Sequence, residues 1–178
     1  MTLSGPVALI GFKGCGKSTV GRALAELLGV EAFDTDEMLE TTHRVRTGQN
    51  LTFRAIYGRH GAAYFRALEK EVLTAALTRG PCVISTGGSA LSTAAEAGLD
   101  LSGVTFVYLT VEPDTLYERI VKNGMPAFFD KDEPRKFFDK MVAERRALYE
   151  RYAHITVDNT SRTPGETARE IADALAAR

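Results

Sequence analysis

The chain has 178 residues, 44% hydrophobic and 25% charged, with a formal net charge of −1. That is enough to bury one well-formed core, and the balance is that of an ordinary soluble globule. A near-neutral chain offers no basic field for nucleic acid, no apolar run reaches membrane-spanning length, and no basic segment precedes the first apolar stretch as in a signal peptide.

The first strand candidate is the apolar run 7–10. Directly after it, Gly11-Phe12-Lys13-Gly14-Cys15-Gly16-Lys17-Ser18-Thr19 matches G-x-x-x-x-G-K-[ST], and residues 17–28 continue with helical periodicity. Strand, glycine loop and helix in that order are a phosphate-binding context. The glycines let successive backbone N–H groups face phosphate oxygens, and the helix N-terminus adds unpaired donors and partial positive charge. Gly14, Cys15, Gly16, Lys17, Ser18 and Thr19 are the candidate nucleotide contacts. Lys17 can reach the outer phosphates, and the Ser18 hydroxyl is a ligand type for Mg2+.

A short strand at 32–33 leads into Asp34-Thr35-Asp36. On an extended segment, carboxylates at i and i+2 face the same side. One can hold the water shell of magnesium, and the other can orient or deprotonate a substrate hydroxyl. Capping of a helix that starts near Glu37 is the competing use of Asp34 or Thr35. Residues 36–60 are polar, promise only short helical pieces, and read as a flap over the carboxyl ends of the strands. A helix over 61–79 carries Arg66 and Glu69 on one face. A guanidinium steadied by that carboxylate would clamp a substrate carboxylate, although a surface ion pair has the same pattern. The strand 82–85 ends in Ser85-Thr86-Gly87-Gly88-Ser89, where Gly87 and Gly88 permit close approach of a ligand to backbone. No aspartate ends this strand, so handling of the metal falls to Asp34.

Residues 104–109 read as a strand covered on both faces. Helices over 112–122 and 134–151 flank a segment of Gly, Pro, charge and Phe128-Phe129. That segment reads as a lid, or as a loop whose phenylalanines fill a satellite core. On the second helix Leu148 and Tyr149 pack, and one of Arg145 and Arg146 looks toward the crevice. A strand over 155–157 and a helix over 164–177, capped by Thr163 ahead of Pro164, follow. Between them Arg162 could stack on an adenine ring. Strands alternating with helices mean a parallel α/β sheet. Cys15 and Cys82 form no C-x-x-C, which argues against a disulfide framework or a zinc site and makes a reduced cytoplasmic setting the default. His43, His60 and His154 have no metal-ligand spacing, and His154, beside an apolar strand, reads as structural.

In order and separation these motifs resemble the shikimate kinases over almost the whole chain. The likeness rests on residues 11–19, on Asp34-Thr35-Asp36, on Gly61 with Phe65-Arg66-Ala67-Leu68-Glu69, on Gly87-Gly88-Ser89, and on Arg145-Arg146-Ala147-Leu148-Tyr149. It implies a three-layer α/β/α P-loop kinase domain, nucleoside-monophosphate-kinase-like, whose five-stranded parallel sheet has order 2-3-1-4-5. A substrate-binding region at about 34–62 and a lid at about 122–134 would belong to the same domain. The implied activity is ATP-dependent phosphorylation of the 3-hydroxyl of shikimate, in aromatic amino-acid biosynthesis, by a cytoplasmic monomer that uses Mg2+. Lys17 would then hold ATP phosphates, and Ser18 and Asp34 would manage magnesium. Asp36 would meet the shikimate hydroxyls as general base. Arg66 and Arg145 would clamp the carboxylate, with Gly87 and Gly88 against the substrate and Arg119 on the phosphate side.

Three positions depart from the family pattern. Ala62 stands where an acidic residue is usual, Ser89 replaces a third glycine, and Met125 replaces the lid arginine that meets the transferring phosphate. Methionine cannot neutralise phosphoryl charge, and such a donor is worth on the order of 3 kcal/mol of transition-state stabilisation. Lys122, Lys131, Arg135, Lys136 or Arg119 could stand in. Two other readings stay open: a kinase acting on another hydroxylated carboxylic acid, and an ATP-binding regulatory protein without transfer activity.

Overall fold

Short apolar strands that must be covered on both faces need helices on either side. The structure, a computed structural model, describes residues 3–124, 129 and 132–178. In chain order it contains β1 (Val7–Ile10), α1 (Lys17–Leu28), β2 (Glu31–Asp34), α2 (Thr35–Thr47), α3 (Phe53–Leu77), β3 (Cys82–Ser85) and α4 (Ala90–Glu96). There follow β4 (Thr105–Thr110), α5 (Pro113–Lys122), α6 (Pro134–Tyr152), β5 (Ile155–Asp158) and α7 (Pro164–Ala176). All strand pairs are parallel, in the order β2-β3-β1-β4-β5.

Alternation along the strands divides the core. Val7, Leu9, Val107 and Leu109 pack with Val20 and Leu24 of α1 and Ile171 of α7. Ala8, Ile10, Ile84 and Phe106 pack with Ala76 of α3, Leu91 of α4 and Tyr149 of α6. The three layers follow from this period of two. His154 is structural, as its setting suggests: its Nδ1 accepts from the Phe106 N–H at 3.0 Å. Cys15 and Cys82 are both free and buried. Among the described residues no helix is long and apolar enough to cross a membrane.

The segment 36–60 departs from the short helical pieces read there. α2 is one helix of 13 residues, capped by Asp34 and ended by Gly48 in the left-handed region. Its polar sequence hides the driving force, which is a small separate core. Leu39 meets Ile56, Leu68 and Val72 of α3, and His43 is fully enclosed. α3 is broken at Gly61 (φ 79°, ψ 172°), so the helix read from 61 onward is its second limb. Only glycine takes that backbone without strain. The short α4 was not expected; it has seven residues and no side-chain cap to announce it. Of the lid segment, Phe129 is buried in the main core beside Phe137 and Phe138. Met125, Phe128 and Lys131 lie outside the described residues.

Candidate active site

The site gathers at the carboxyl ends of β1, β2, β3 and β5. After β1 the Cys15 N–H donates to the Phe12 carbonyl at 3.2 Å, closing a turn with Lys13 and Gly14 at its corners. Gly14 (φ 85°) and Gly16 (φ 95°) hold backbone that side chains rarely adopt. Asn159, just past β5, donates from Nδ2 to the Cys15 carbonyl at 2.8 Å and accepts from the Thr167 hydroxyl at 2.6 Å. A Cβ on Gly16 would lie 2.6 Å from that amide nitrogen. Below the loop, the Thr86 hydroxyl donates to the Leu9 carbonyl at 2.8 Å and the Ser85 hydroxyl to the Lys17 carbonyl at 3.0 Å. No side chain caps α1 and no acid sits in its first turn, so its leading N–H groups face outward as an anion cradle. Lys17 Nζ is held by the carbonyls of Gly11 (2.9 Å) and Phe12 (3.0 Å). Ser18 and Thr19 are exposed at the start of the helix.

Asp34 takes up the capping use weighed for it and also meets Ser18. Its Oδ1 accepts from the Asp36 N–H at 2.9 Å as the helix cap, while Oδ2 accepts from the Ser18 hydroxyl at 2.6 Å. Asp36 does not lie on an extended segment. It stands in the first turn of α2, and the cap rather than strand alternation brings the two carboxylates together. Asp36 is partly buried and its carboxyl is pushed up to about 6. Burial contributes most and the Asp34 charge adds to it, while Lys17 opposes. A Cβ on Gly87 would lie 3.0 Å from Asp36 Oδ1, so the glycine at the end of β3 makes room for this carboxylate. The Gly87 N–H donates to Thr35 Oγ1 at 2.8 Å and fixes the same corner.

The next corner is Gly88. A Cβ there would lie 3.0 Å from Arg145 Nη1, and Tyr149 donates from its hydroxyl to the Gly88 carbonyl at 3.2 Å. Burial pushes the Tyr149 phenol up to about 12, which keeps it a donor. Arg145, not Arg146, faces this corner: its guanidinium lies 5.3 Å over the Phe12 ring, whereas Arg146 pairs with Glu150 in solvent. The Arg66–Glu69 pairing is not found. Glu69 instead accepts from Ser89 (2.6 Å) and Thr93 (2.7 Å), tying α3 to α4, and Arg66 is exposed on the adjoining turn with no ion pair among the described residues. Ser89, where a third glycine was expected, is thus one of the two anchors of Glu69.

Arg119 donates to the carbonyls of Asn159 (3.2 Å) and Thr160 (2.6 Å), so it braces the loop after β5. Arg162 pairs with Glu170 and donates to the Asp158 carbonyl at 3.0 Å, turned toward α7. Arg135 is held by Asp114 and Asp139, and Lys136 pairs with Glu133. Sequence reasoning missed Asn159, Thr86 and the Tyr149 hydroxyl. Only Asn159 had a local signal, a polar residue at the end of an apolar strand.

A glycine cradle behind β1, an acid at the end of β2 and the order β2-β3-β1-β4-β5 define a P-loop phosphotransferase fold. Within that class the comparisons with known proteins are specific. A sequence model described as shikimate kinase matches residues 13–176. The shikimate kinase of Moorella thermoacetica is 36% identical and that of Thermobifida fusca 39%, each alignment spanning 98% of this chain and 96% and 97% of theirs. A solved structure, shikimate kinase from Acinetobacter baumannii in complex with shikimate, matches with TM-score 0.83 at 28% identity, over 98% of this chain and 94% of that one. The chain belongs to the shikimate kinase family.

Proposed function

We propose that the protein transfers the γ-phosphoryl group of ATP to the 3-hydroxyl of shikimate. The observation that carries this is the position of Asp36. Its carboxyl, with a pKa near 6, stands between the Lys17 cradle and the Gly88–Arg145 corner. A carboxyl raised toward neutrality in this way can accept the hydroxyl proton as the P–O bond forms. Lys17 and the α1 amides, with Gly14, Cys15, Gly16 and Thr19, hold the phosphates. Arg145 and Arg66 take the substrate carboxylate, and the backbone at Gly87 and Gly88 lies against the ring. Arg119 flanks the nucleotide through the loop it braces. Arg162 can reach adenine only by leaving Glu170.

The Ser18 hydroxyl and the Asp34 carboxylate are hard oxygen donors within one hydrogen bond of each other, a set that suits Mg2+ and its waters. When bound there, the ion would neutralise charge on the phosphates. The cytoplasmic setting, monomeric state and lid at about 122–134 belong to the same proposal, and the free buried cysteines agree with a reducing compartment.

Purified protein with ATP, Mg2+ and shikimate should form ADP and phosphorylated shikimate in equal amounts, with 31P NMR placing the phosphate on the 3-oxygen. No turnover above background at saturating shikimate would overturn the proposal. A panel of other hydroxylated carboxylic acids would show whether one of them is preferred.

A further inference from the structure

The loop pattern leaves position 12 open, and phosphate binding asks for no aromatic ring there. Phe12 nevertheless stands at the start of the loop with its side chain buried in the main core. Its carbonyl is held twice, by the Cys15 N–H at 3.2 Å and by Lys17 Nζ at 3.0 Å. Its ring meets Phe138 of α6 edge to face, with centroids 5.6 Å apart, and Phe138 is itself fully buried against Tyr117 of α5. Backbone and ring are therefore both fixed. The same ring carries the Arg145 guanidinium, whose Cζ lies 5.3 Å from its centroid.

Arg145 differs from other cations of its helix. Arg135, Lys136, Lys140 and Arg146 each pair with a carboxylate. Arg145 is half-buried and has no ion pair among the described residues. It is bounded instead by the Phe12 ring and by the Gly88 backbone, where a Cβ would lie 3.0 Å from Nη1. A carboxylate would steady the guanidinium but would also neutralise it and take up its N–H donors. An aromatic face attracts the cation through its quadrupole and leaves charge and donors for an incoming anion. A long arginine side chain has rotamer freedom to lose when an anion binds, and holding it beforehand reduces that loss.

We propose that Phe12 is a positioning residue for the substrate carboxylate: from within the phosphate loop, its ring holds the Arg145 guanidinium in place without neutralising it. The inference rests on the function proposed above, which puts a carboxylate at Arg145. It gives a residue of the nucleotide loop an effect on the other substrate.

The test is a double-mutant cycle between Phe12→Leu and Arg145→Met, with Phe12→Tyr as the variant that keeps the ring. Shikimate affinity is read by calorimetric titration and, with ATP present, as KM. Phe12→Leu should weaken shikimate roughly 3- to 10-fold, with the KM for ATP within about twofold of wild type. In the Arg145→Met background the same change should alter shikimate affinity by less than about twofold, because the cation it acts through is gone. Phe12→Tyr should stay within about twofold of wild type. A residue that only filled the core would weaken shikimate equally in both backgrounds. That result, or wild-type affinity in Phe12→Leu, would overturn the proposal. Phe12→Met takes the place of Phe12→Leu should that variant fail to fold. A second readout needs no substrate. The Arg145 side-chain NMR signals, assigned by their absence in Arg145→Met, should move downfield in Phe12→Leu as the ring above them is lost, and stay in place in Phe12→Tyr. Unmoved signals in Phe12→Leu would also overturn the positioning role. If wild type fails to bind shikimate, the proposed function falls, and the NMR comparison still decides whether Phe12 sets Arg145.

Discussion

The donor and acceptor sides of the site are built from different materials. The phosphate cradle is held from behind by neutral hydrogen bonds, many of them buried: Asn159 to Cys15, Thr167 to Asn159, Thr86 to Leu9 and Ser85 to Lys17. The side proposed for the acceptor carries charged side chains on α2, α3 and α6, namely Asp36, Glu69, Arg66 and Arg145, and α3 is broken at Gly61. Backbone amides bind phosphate well only when their frame is set beforehand, because each amide has one fixed direction. Charged side chains reach across a gap and adjust by rotamer, so their supports can be looser. Changes behind the loop should therefore affect stability and nucleotide together. Changes on the acceptor side should affect turnover or substrate while leaving the fold intact.

Asp36→Asn should produce the largest effect on activity. Turnover should fall roughly 10²- to 10⁴-fold, with the KM for ATP within about twofold. Wild-type kcat/KM should fall off on the acid side near pH 6, where this carboxyl takes up its proton. The stability effect has the opposite sign to the loss of activity. The folded pKa lies above the ordinary value of 3.8, so the folded state binds more protons between about pH 4 and 6 and stability falls as pH rises through that window. At pH 7 Asp36→Asn should stabilise by roughly 2 to 3 kcal/mol, about 5 to 10 °C in thermal melting. A variant that keeps its activity, or one that melts below wild type, would contradict the assigned role.

Asn159→Ala tests the donor side. It strands the buried Cys15 carbonyl and leaves the Thr167 hydroxyl only the Thr163 carbonyl at 3.2 Å, at a cost of about 1 to 3 kcal/mol. Melting temperature and ATP affinity should fall together while shikimate affinity changes little. Equal loss of both affinities would erase the distinction between the two sides.

Arg145→Met should raise the KM for shikimate about tenfold or more, since it removes a charge-assisted contact, with melting temperature and the KM for ATP nearly constant. A rise in the KM for ATP instead would move Arg145 to the donor side.

The smallest effect concerns how α2 is held. His43 is fully enclosed, bonded to the Tyr64 hydroxyl at 2.9 Å, with its ring 5.0 Å from that of His60. Burial first, then the charges of His60, Arg46 and Arg59, hold its pKa below the ordinary 6.5. A folded pKa below the unfolded one means that this stability is complete above about pH 6.5 and is lost as pH falls through the lower folded value. His43→Asn should therefore give a shallower acid decline of melting temperature between pH 7 and 5 than wild type, Asp36 contributing equally to both. Parallel curves would show that His43 does not set the acid sensitivity of the α2–α3 pair.

The cradle was legible because its ligands are contiguous: glycines, Lys17 and Ser18 lie within one strand–loop–helix, and their spacing alone defines the chemistry. Asp34, Asp36 and Arg145 were legible by order and separation. The length of α2 was not, since its stability comes from Leu39 and His43 packing on α3 rather than from an apolar stripe. The partner of Glu69 was also misread, because the i,i+3 rule names a neighbour on the same helix and cannot see Ser89 and Thr93 on α4.

By itself, the sequence determined the parallel α/β class, the phosphate loop and the residue types that flank it, because periodicity and short motifs are properties of neighbouring residues. Only the tertiary structure decided that Asn159 braces Cys15 from 144 positions away and that Tyr149 and Arg145 meet at Gly88. Those contacts depend on sheet order, which sets β5 and α6 beside a loop near the start of the chain, and no local pattern encodes that proximity.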